Sequence, residues 1–435
     1  MIPSVDNEGY SSRGPIDAST TVVVVGAGSS GLTLACNLAR FGIDIKILDD
    51  RPDKTSTGKA DGMQSKTIEI FKQMRLADPL LRNAARVYNI SFWQSMPDRL
   101  LHRAGRQTHY LDHLVGVSDP YILLAHQGMV EEVLIDDMEA RGVFVMRNSR
   151  FASCSYVAGT GQLDIAYEDL TQKTLECIPD AQLEGEVTNA SWGVLDGVID
   201  AEHCEAFLQG EAALAKNFDE NIRFISGMGA EYSQGLLSRG RTAISNPLRP
   251  GTLQLPGKVT RYIDANPVSI QLDVPMLSQF RIYFFVPDVP KAFGFLSVVC
   301  EGLHNATGIG KISSRANQSY ANQPPKTAPS DTFMNLQRYT SVSSAFIYAM
   351  VTQSSKSEFE IADLPKVLQD SRWTVYLDDV DTPCCTDKWI GPLQGEQAGI
   401  VILRPDGYVG TIETWELAAG TEAEKWIDNY FAFMM

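Results

Sequence analysis

The chain has 435 residues, 44% of them apolar and 21% charged, which is ordinary for a globular protein long enough to build two or three cores. Its formal net charge of -16 argues against non-specific binding to nucleic acid or to an anionic membrane surface. No apolar run approaches the length of a membrane span.

Residues 1–20 are polar and rich in Ser, Gly and Pro, so they read as a disordered tail without the apolar core of a secretory signal. Thr21–Leu32 (TVVVVGAGSSGL) follows, a four-valine run that predicts a strand buried on both faces, as in a parallel sheet. Gly26, Gly28 and Gly31 are spaced G-x-G-x-x-G where that strand turns into a helix running from Leu32 to Arg40. In this pattern Gly26 allows the tight turn, Gly28 lets a pyrophosphate approach the backbone, and Gly31 lets the helix pack on the strand. Ser29, Ser30 and Gly31 would present the helix N-terminus to the phosphates. Ile43–Leu48 reads as the second strand and ends in Asp49-Asp50, where a carboxylate can accept both ribose hydroxyls. A nucleotide-binding unit from residue 21 to about 150 is therefore expected.

Further along, Lys66–Leu76 and Gly128–Ala140 have helical apolar spacing, and Ser118–Leu124 reads as a short strand. Leu163–Tyr167, Thr174–Ile178 and Asn189–Asp200 read as antiparallel strands. Ala206–Arg241 is helix-like and then glycine-interrupted, Gln279–Val286 (QFRIYFFV) is the best strand of the second half, and residues 311–330 read as a Ser/Asn/Pro-rich loop. Trp373–Leu377 and Gly399–Leu403 are further strands, the latter entering a Pro-Asp-Gly hairpin turn at Arg404–Gly410. Seven cysteines, odd in number and scattered from Cys36 to Cys385, suggest no disulfide framework. With Cys384 and Cys385 adjacent and six histidines in no ligand spacing, neither a redox motif nor a metal site is expected, and the default location is cytoplasmic.

Gly58–Met63 (GKADGM) with Thr67–Phe71 (TIEIF) resembles the G-x-A-D-G-x-x-x-R-T-x-E-x-F block of flavin aromatic hydroxylases, closest to the phenol 2-monooxygenase branch common in fungi. Leu124–Gly128 (LAHQG) is similar to that branch's L-H-Q-G. Glu184–Asn189 with Trp192–Asp196 is close to its G-E-x-T-x-x-x-W-G-V-L-D, and Arg404–Tyr408 (RPDGY) resembles its final domain, a thioredoxin-like unit without redox cysteines. The resemblance implies an α/β fold: an incomplete Rossmann-type FAD-binding domain with antiparallel strands over 21–205, a helical connection over 206–250, and a thioredoxin-like α/β domain over 251–435. It implies FAD as cofactor, NAD(P)H as hydride donor, O2 and a small phenolic or polyketide-derived aromatic as substrates, and secondary metabolism as the setting. It also implies a homodimer through the C-terminal domain. By the same carry-over, Asp49, with Asp50 beside it, holds the adenosine ribose. Arg51 and Gln127 contact FAD, and Gly58, Lys59, Ala60, Asp61, Gly62 and Met63 border the flavin. Asp61 is the candidate base for the substrate phenol, although Asp-Gly is equally a solvated turn pair. Lys66 stands where the family has Arg, keeping a charge but losing bidentate phosphate contact.

The chain also departs from the family. The G-x-D-G-x-x-S-x-V-R block is absent, no Gly-Asp pair occurs anywhere, and after Val198 the sequence jumps to Phe224–Gly227 (FISG), which resembles the stretch before the C-terminal domain. About a domain's worth of chain is missing relative to the family, with clean junctions that would also fit an omitted exon. A degenerate, non-catalytic relative that keeps its ends for association stays open, as does a plain NAD(P)-binding dehydrogenase, which lacks support from any Tyr-x-x-x-Lys.

Overall fold

The computed structural model describes residues 22–55, 60–96, 99–108, 119–157, 162–181, 216, 220–223, 226–240, 248–276, 278–304 and 308–434. The glycine-turn unit begins with β1 (Val22–Val25), α1 (Ser29–Arg40) and β2 (Ile45–Leu48). Next come β3 (Gly62–Met63), α2 (Ser65–Gln73), α3 (Ala77–Asn83), β4 (Ala85–Val87) and the hairpin β5 (Asn89–Met96) and β6 (Arg99–Thr108). The unit closes with β7 (Ile122–Leu124), α4 (Gln127–Ala140), β8 (Val145–Met146), β9 (Ser149–Val157), β10 (Gln162–Asp169) and β11 (Thr174–Ala181). The helix after the glycine turn thus starts at Ser29 rather than Leu32, because Gly28 itself is the N-cap.

The parallel sheet has the order β1-β2-β8. One side is covered by α1 and α4 through Leu32, Ala35, Leu134 and Met138. The other is covered by β10 of the antiparallel sheet, whose Leu163, Ile165 and Tyr167 pack on Leu48. The expectation of a valine strand buried on both faces is corrected here. Val24 is buried among the α1 residues, but Val22 and Val23 are only half-buried and Val25, the last residue before the glycine turn, is 56% exposed. In doubly wound sheets the glycine-turn strand lies inside the sheet; among the described residues nothing flanks β1 on its outer edge.

The second unit contains β12 (Lys258–Arg261), β13 (Pro267–Ser269), α5 (Ile270–Asp273), β14 (Phe280–Val286), α6 (Val289–His304), α7 (Gly308–Asn322), α8 (Asp331–Met334) and β15 (Phe346–Thr352). It ends with α9 (Lys366–Asp370), β16 (Val375–Leu377), α10 (Cys385–Trp389), β17 (Gln397–Leu403), β18 (Val409–Glu416) and α11 (Gly420–Tyr430). Its mixed seven-stranded sheet runs β13-β12-β16-β15-β14-β17-β18, with β14, β15 and β16 parallel. Every residue of β14 is buried, because Ile282 and Phe284 face α6 and α11 while Tyr283 and Phe285 face Trp389 and Ile390. The hairpin at Arg404–Tyr408 is present, with Gly407 at φ +83.

Residues 311–330 are not all loop. α7 occupies most of the stretch, because Ile309 and Ile312 give it an apolar stripe that packs into the core, and Pro324-Pro325 fall only after its end. Trp373 likewise belongs to a short 3-10 turn rather than to the strand, which begins at Val375. The expected strand at 189–200 lies outside the described residues. Among the described residues, no helix is long and apolar enough to cross a membrane.

Candidate dinucleotide site

Gly26 turns the chain at φ +97, donating its N–H to the Leu48 carbonyl (2.7 Å), so β1 and β2 end side by side. Gly31 allows no side chain, since a Cβ there would lie 2.0 Å from the Gly26 carbonyl oxygen. At Gly28 the position of a Cβ has no neighbour within 4 Å, and the backbone is extended (φ -79, ψ 175). α1 starts at half-buried Ser29 and exposed Ser30, with no side-chain cap and no acidic residue in its first turn. An uncapped helix N-terminus beside an open glycine is suited to a phosphate anion.

Asp49, 4% exposed, stands across from this turn at the end of β2. Its Oδ2 accepts the Ala27 N–H (2.6 Å) and Arg51 Nη2 (3.0 Å), and its Oδ1 accepts the Arg51 N–H and Nε, both at 2.9 Å. Burial works to raise this carboxyl, but the hydrogen bonds from Arg51 and from the Ala27 and Arg51 amides outweigh it and hold it below the usual carboxylate value. Arg51 also donates to the Ala27 carbonyl (2.7 Å) and to Thr55 Oγ1 (2.6 Å). Asp50 points into solvent.

A second hub is Glu131 on α4, fully buried. It accepts the Thr55 N–H (2.8 Å), Thr55 Oγ1 (3.0 Å) and Gln127 Nε2 (2.7 Å), and lies 3.7 Å from Arg51. Gln127 therefore spends its side chain on the i+4 carboxylate, while its N–H binds the Ala60 carbonyl (2.8 Å). That bond, with the pairing of Gly62 and Met63 to Leu124 and Leu123, brings residues 60–63 to the N-terminus of α4. Ala60, Asp61 and Gly62 are exposed and Met63 is buried; Gly58 and Lys59 lie outside the described residues. Lys66 is buried and pairs with Glu69 (3.3 Å).

Gly26, Gly28, Ser29, Ser30, Gly31, Asp49 and Arg51 thus converge on one turn. Ala60–Met63 and Gln127 form a second group, joined to the first through Thr55 and Glu131. Thr55, Glu131 and Arg147, the last 3.4 Å from Asp49, belong to no sequence motif, and only the Gln127/Glu131 i,i+4 spacing points to one of them. The open Gly28 and the uncapped α1 leave room for the pyrophosphate of an FAD, and Asp49 beside them is an acceptor whose bonds from the Arg51 side chain a ribose would have to replace.

Comparison with known proteins shows what each unit is similar to. The family model described as "FAD binding domain" matches residues 19–177, and "Phenol hydroxylase, C-terminal dimerisation domain" matches residues 230–435. Among individual proteins, the FAD-dependent monooxygenase terD of Aspergillus terreus is 42% identical over 76 residues, 18% of this chain and 12% of its own length. The 3-hydroxybenzoate 4-monooxygenase of Comamonas testosteroni is 27% identical over 209 residues, 42% of this chain and 32% of its own. The chain therefore spans a third or less of these relatives. The fold is similar to that of the flavin-dependent monooxygenase PieE, solved with FAD and substrate, at a TM-score of 0.59 and 10% identity over 96% of this chain and 100% of that one.

Proposed function

We propose that the chain is an FAD-dependent monooxygenase that hydroxylates a phenolic or polyketide-derived aromatic with NAD(P)H and O2, in the cytoplasm and as part of secondary metabolism. The observation that carries this reading is the open Gly28 and uncapped α1 facing the buried Asp49 carboxylate. In this reading Asp49 holds the adenosine ribose, Gly28 with the α1 N-terminus holds the pyrophosphate, and residues 58–63 border the flavin. FAD, when bound, supplies hydride acceptance and oxygen activation. The protein's own part is orientation and proton handling, with an Asp61 carboxylate oxygen taking the phenol proton. The division into 21–205, 206–250 and 251–435, a thioredoxin-like character for the last, and a homodimer through it belong to the same proposal. The absence from the sequence of the G-x-D-G-x-x-S-x-V-R block and of any Gly-Asp pair favours a second reading, a non-catalytic relative that retains the turn and the C-terminal unit for association.

Asp61→Ala separates the two. A catalytic base contributes about 10²–10⁴-fold, so hydroxylation should fall by that factor while FAD affinity stays unchanged. An unchanged rate would show that Asp61 is not the base. Flavin binding with no turnover in the wild type would support the non-catalytic relative.

A further inference from the structure

The ribose carboxylate is already taken. Asp49 accepts four hydrogen bonds, from the Ala27 and Arg51 amides and from two guanidinium nitrogens of Arg51. A carboxylate offers about four acceptor sites, so a ribose diol has no free acceptor while the guanidinium stays in place. The two amide bonds are fixed by the backbone of the turn, whereas the two guanidinium bonds belong to a side chain that is 27% exposed and that also binds Thr55 Oγ1 (2.6 Å) and lies 3.7 Å from Glu131, acceptors it can keep when it releases Asp49. That same guanidinium holds the Ala27 carbonyl (2.7 Å), one residue before the open Gly28 where a phosphate would approach.

We propose that Arg51 is a specificity-determining residue of the dinucleotide site, closing Asp49 to nucleosides until a diphosphate draws its guanidinium away. The inference rests on the dinucleotide reading above. A ligand carrying pyrophosphate replaces the broken carboxylate–guanidinium bonds with charge-assisted bonds to the phosphate oxygens. A nucleoside without phosphate must break them with no replacement. When Arg51 leaves, Arg147 Nη1, 3.4 Å from Asp49 Oδ1, still keeps a cation beside the carboxylate. The site thus selects phosphorylated ligands by competition within the protein as well as by attraction to the phosphate.

The test is calorimetric titration of the full chain with adenosine and with ADP, in wild type, Arg51→Ala and Arg51→Gln. Hydrogen bonds to charged groups change equilibria by about tenfold or more. Both variants should therefore bind adenosine about tenfold more tightly than wild type, while ADP affinity stays within a few-fold, because the phosphate bonds lost with Arg51 are offset by an Asp49 that no longer has to be released. A gain for adenosine that ADP does not share distinguishes competition from simple contact. Adenosine weakened together with ADP, or unchanged, overturns the proposal and leaves Arg51 as an ordinary phosphate ligand. A melting profile matching wild type shows that a variant is folded, and two substitutions guard against one misfolding. If the wild-type chain binds neither ADP nor FAD, the dinucleotide reading fails and takes this inference with it. If it binds ADP but adenosine affinity does not rise in the variants, only the inference fails.

Discussion

Arg141→Met is expected to destabilise the protein by about 3–5 kcal/mol, the usual cost of removing one partner from a buried ionic network. Arg141 lies at the C-terminal end of α4 and is almost fully buried. It donates to Asp137 through Nε (3.0 Å) and Nη2 (3.1 Å), and to Asp331 of the second unit through Nη1 (2.7 Å) and Nη2 (2.8 Å). Nη1 also reaches the Lys326 carbonyl (2.9 Å). Asp137 is shared with Arg40 of α1, at 2.9 and 2.8 Å. Burial pushes the Asp137 carboxyl up, but Arg40 and Arg141 together hold it well below the ordinary range, so it is ionised and depends on both. Burial also pushes the neighbouring Cys36 thiol up to about 12, which keeps it neutral.

Losing Arg141 would leave Asp331 without its bidentate partner and Asp137 with one cation instead of two. The measurement is urea unfolding of the variant beside Asp331→Asn and the double variant. The coupling between the two substitutions should be large because they share one contact. A loss below about 1 kcal/mol, the range of surface pairs, would show that the network does not hold the two units together.

Gly31→Ala and Gly28→Ala should separate folding from ligand binding at the same turn. A Cβ at Gly31 would sit 2.0 Å from the Gly26 oxygen and 3.2 Å from its carbonyl carbon, and backbone cannot retreat without parting α1 from β1. Overpacking costs about 1–3 kcal/mol and occasionally more; with backbone as the obstacle the upper end is expected, and FAD binding should weaken as the turn is displaced. At Gly28 the same methyl group meets nothing within 4 Å and the backbone conformation is open to any residue, so stability should change by less than about 0.5 kcal/mol. The methyl would, however, stand where the phosphate must approach, so FAD affinity should drop at least tenfold. Thermal melting and flavin titration of both variants check this. Equal stability of the two would contradict the packing role of Gly31, and unaltered FAD affinity in Gly28→Ala would contradict the placement of the phosphate.

The parts legible in the sequence were those whose signal is local. The glycine spacing fixes the turn at Gly26–Gly31 whatever surrounds it, the apolar run at 280–286 has no fate but burial, and Pro-Asp-Gly closes the last hairpin. α7 was hidden because its polar Ser/Asn/Gln surface resembles loop composition and only Ile309 and Ile312 supply the apolar stripe. The partial exposure of β1 was hidden for a different reason: a strand's own residues do not state what covers each of its faces. Glu131 sits in an ordinary helical pattern, and its role appears only when the loop at Thr55 folds over it. The Arg141–Asp331 bond joins residues 190 apart in sequence, beyond any local pattern. The candidate site was therefore legible where one turn makes it, and illegible where separate segments must meet.

Titration of the purified chain with FAD, followed by flavin absorbance and fluorescence, tests the central claim most directly. The account predicts saturable binding that ADP displaces and that Gly28→Ala weakens without unfolding the protein. A colourless protein that takes up no added FAD while giving a native melting transition would contradict it.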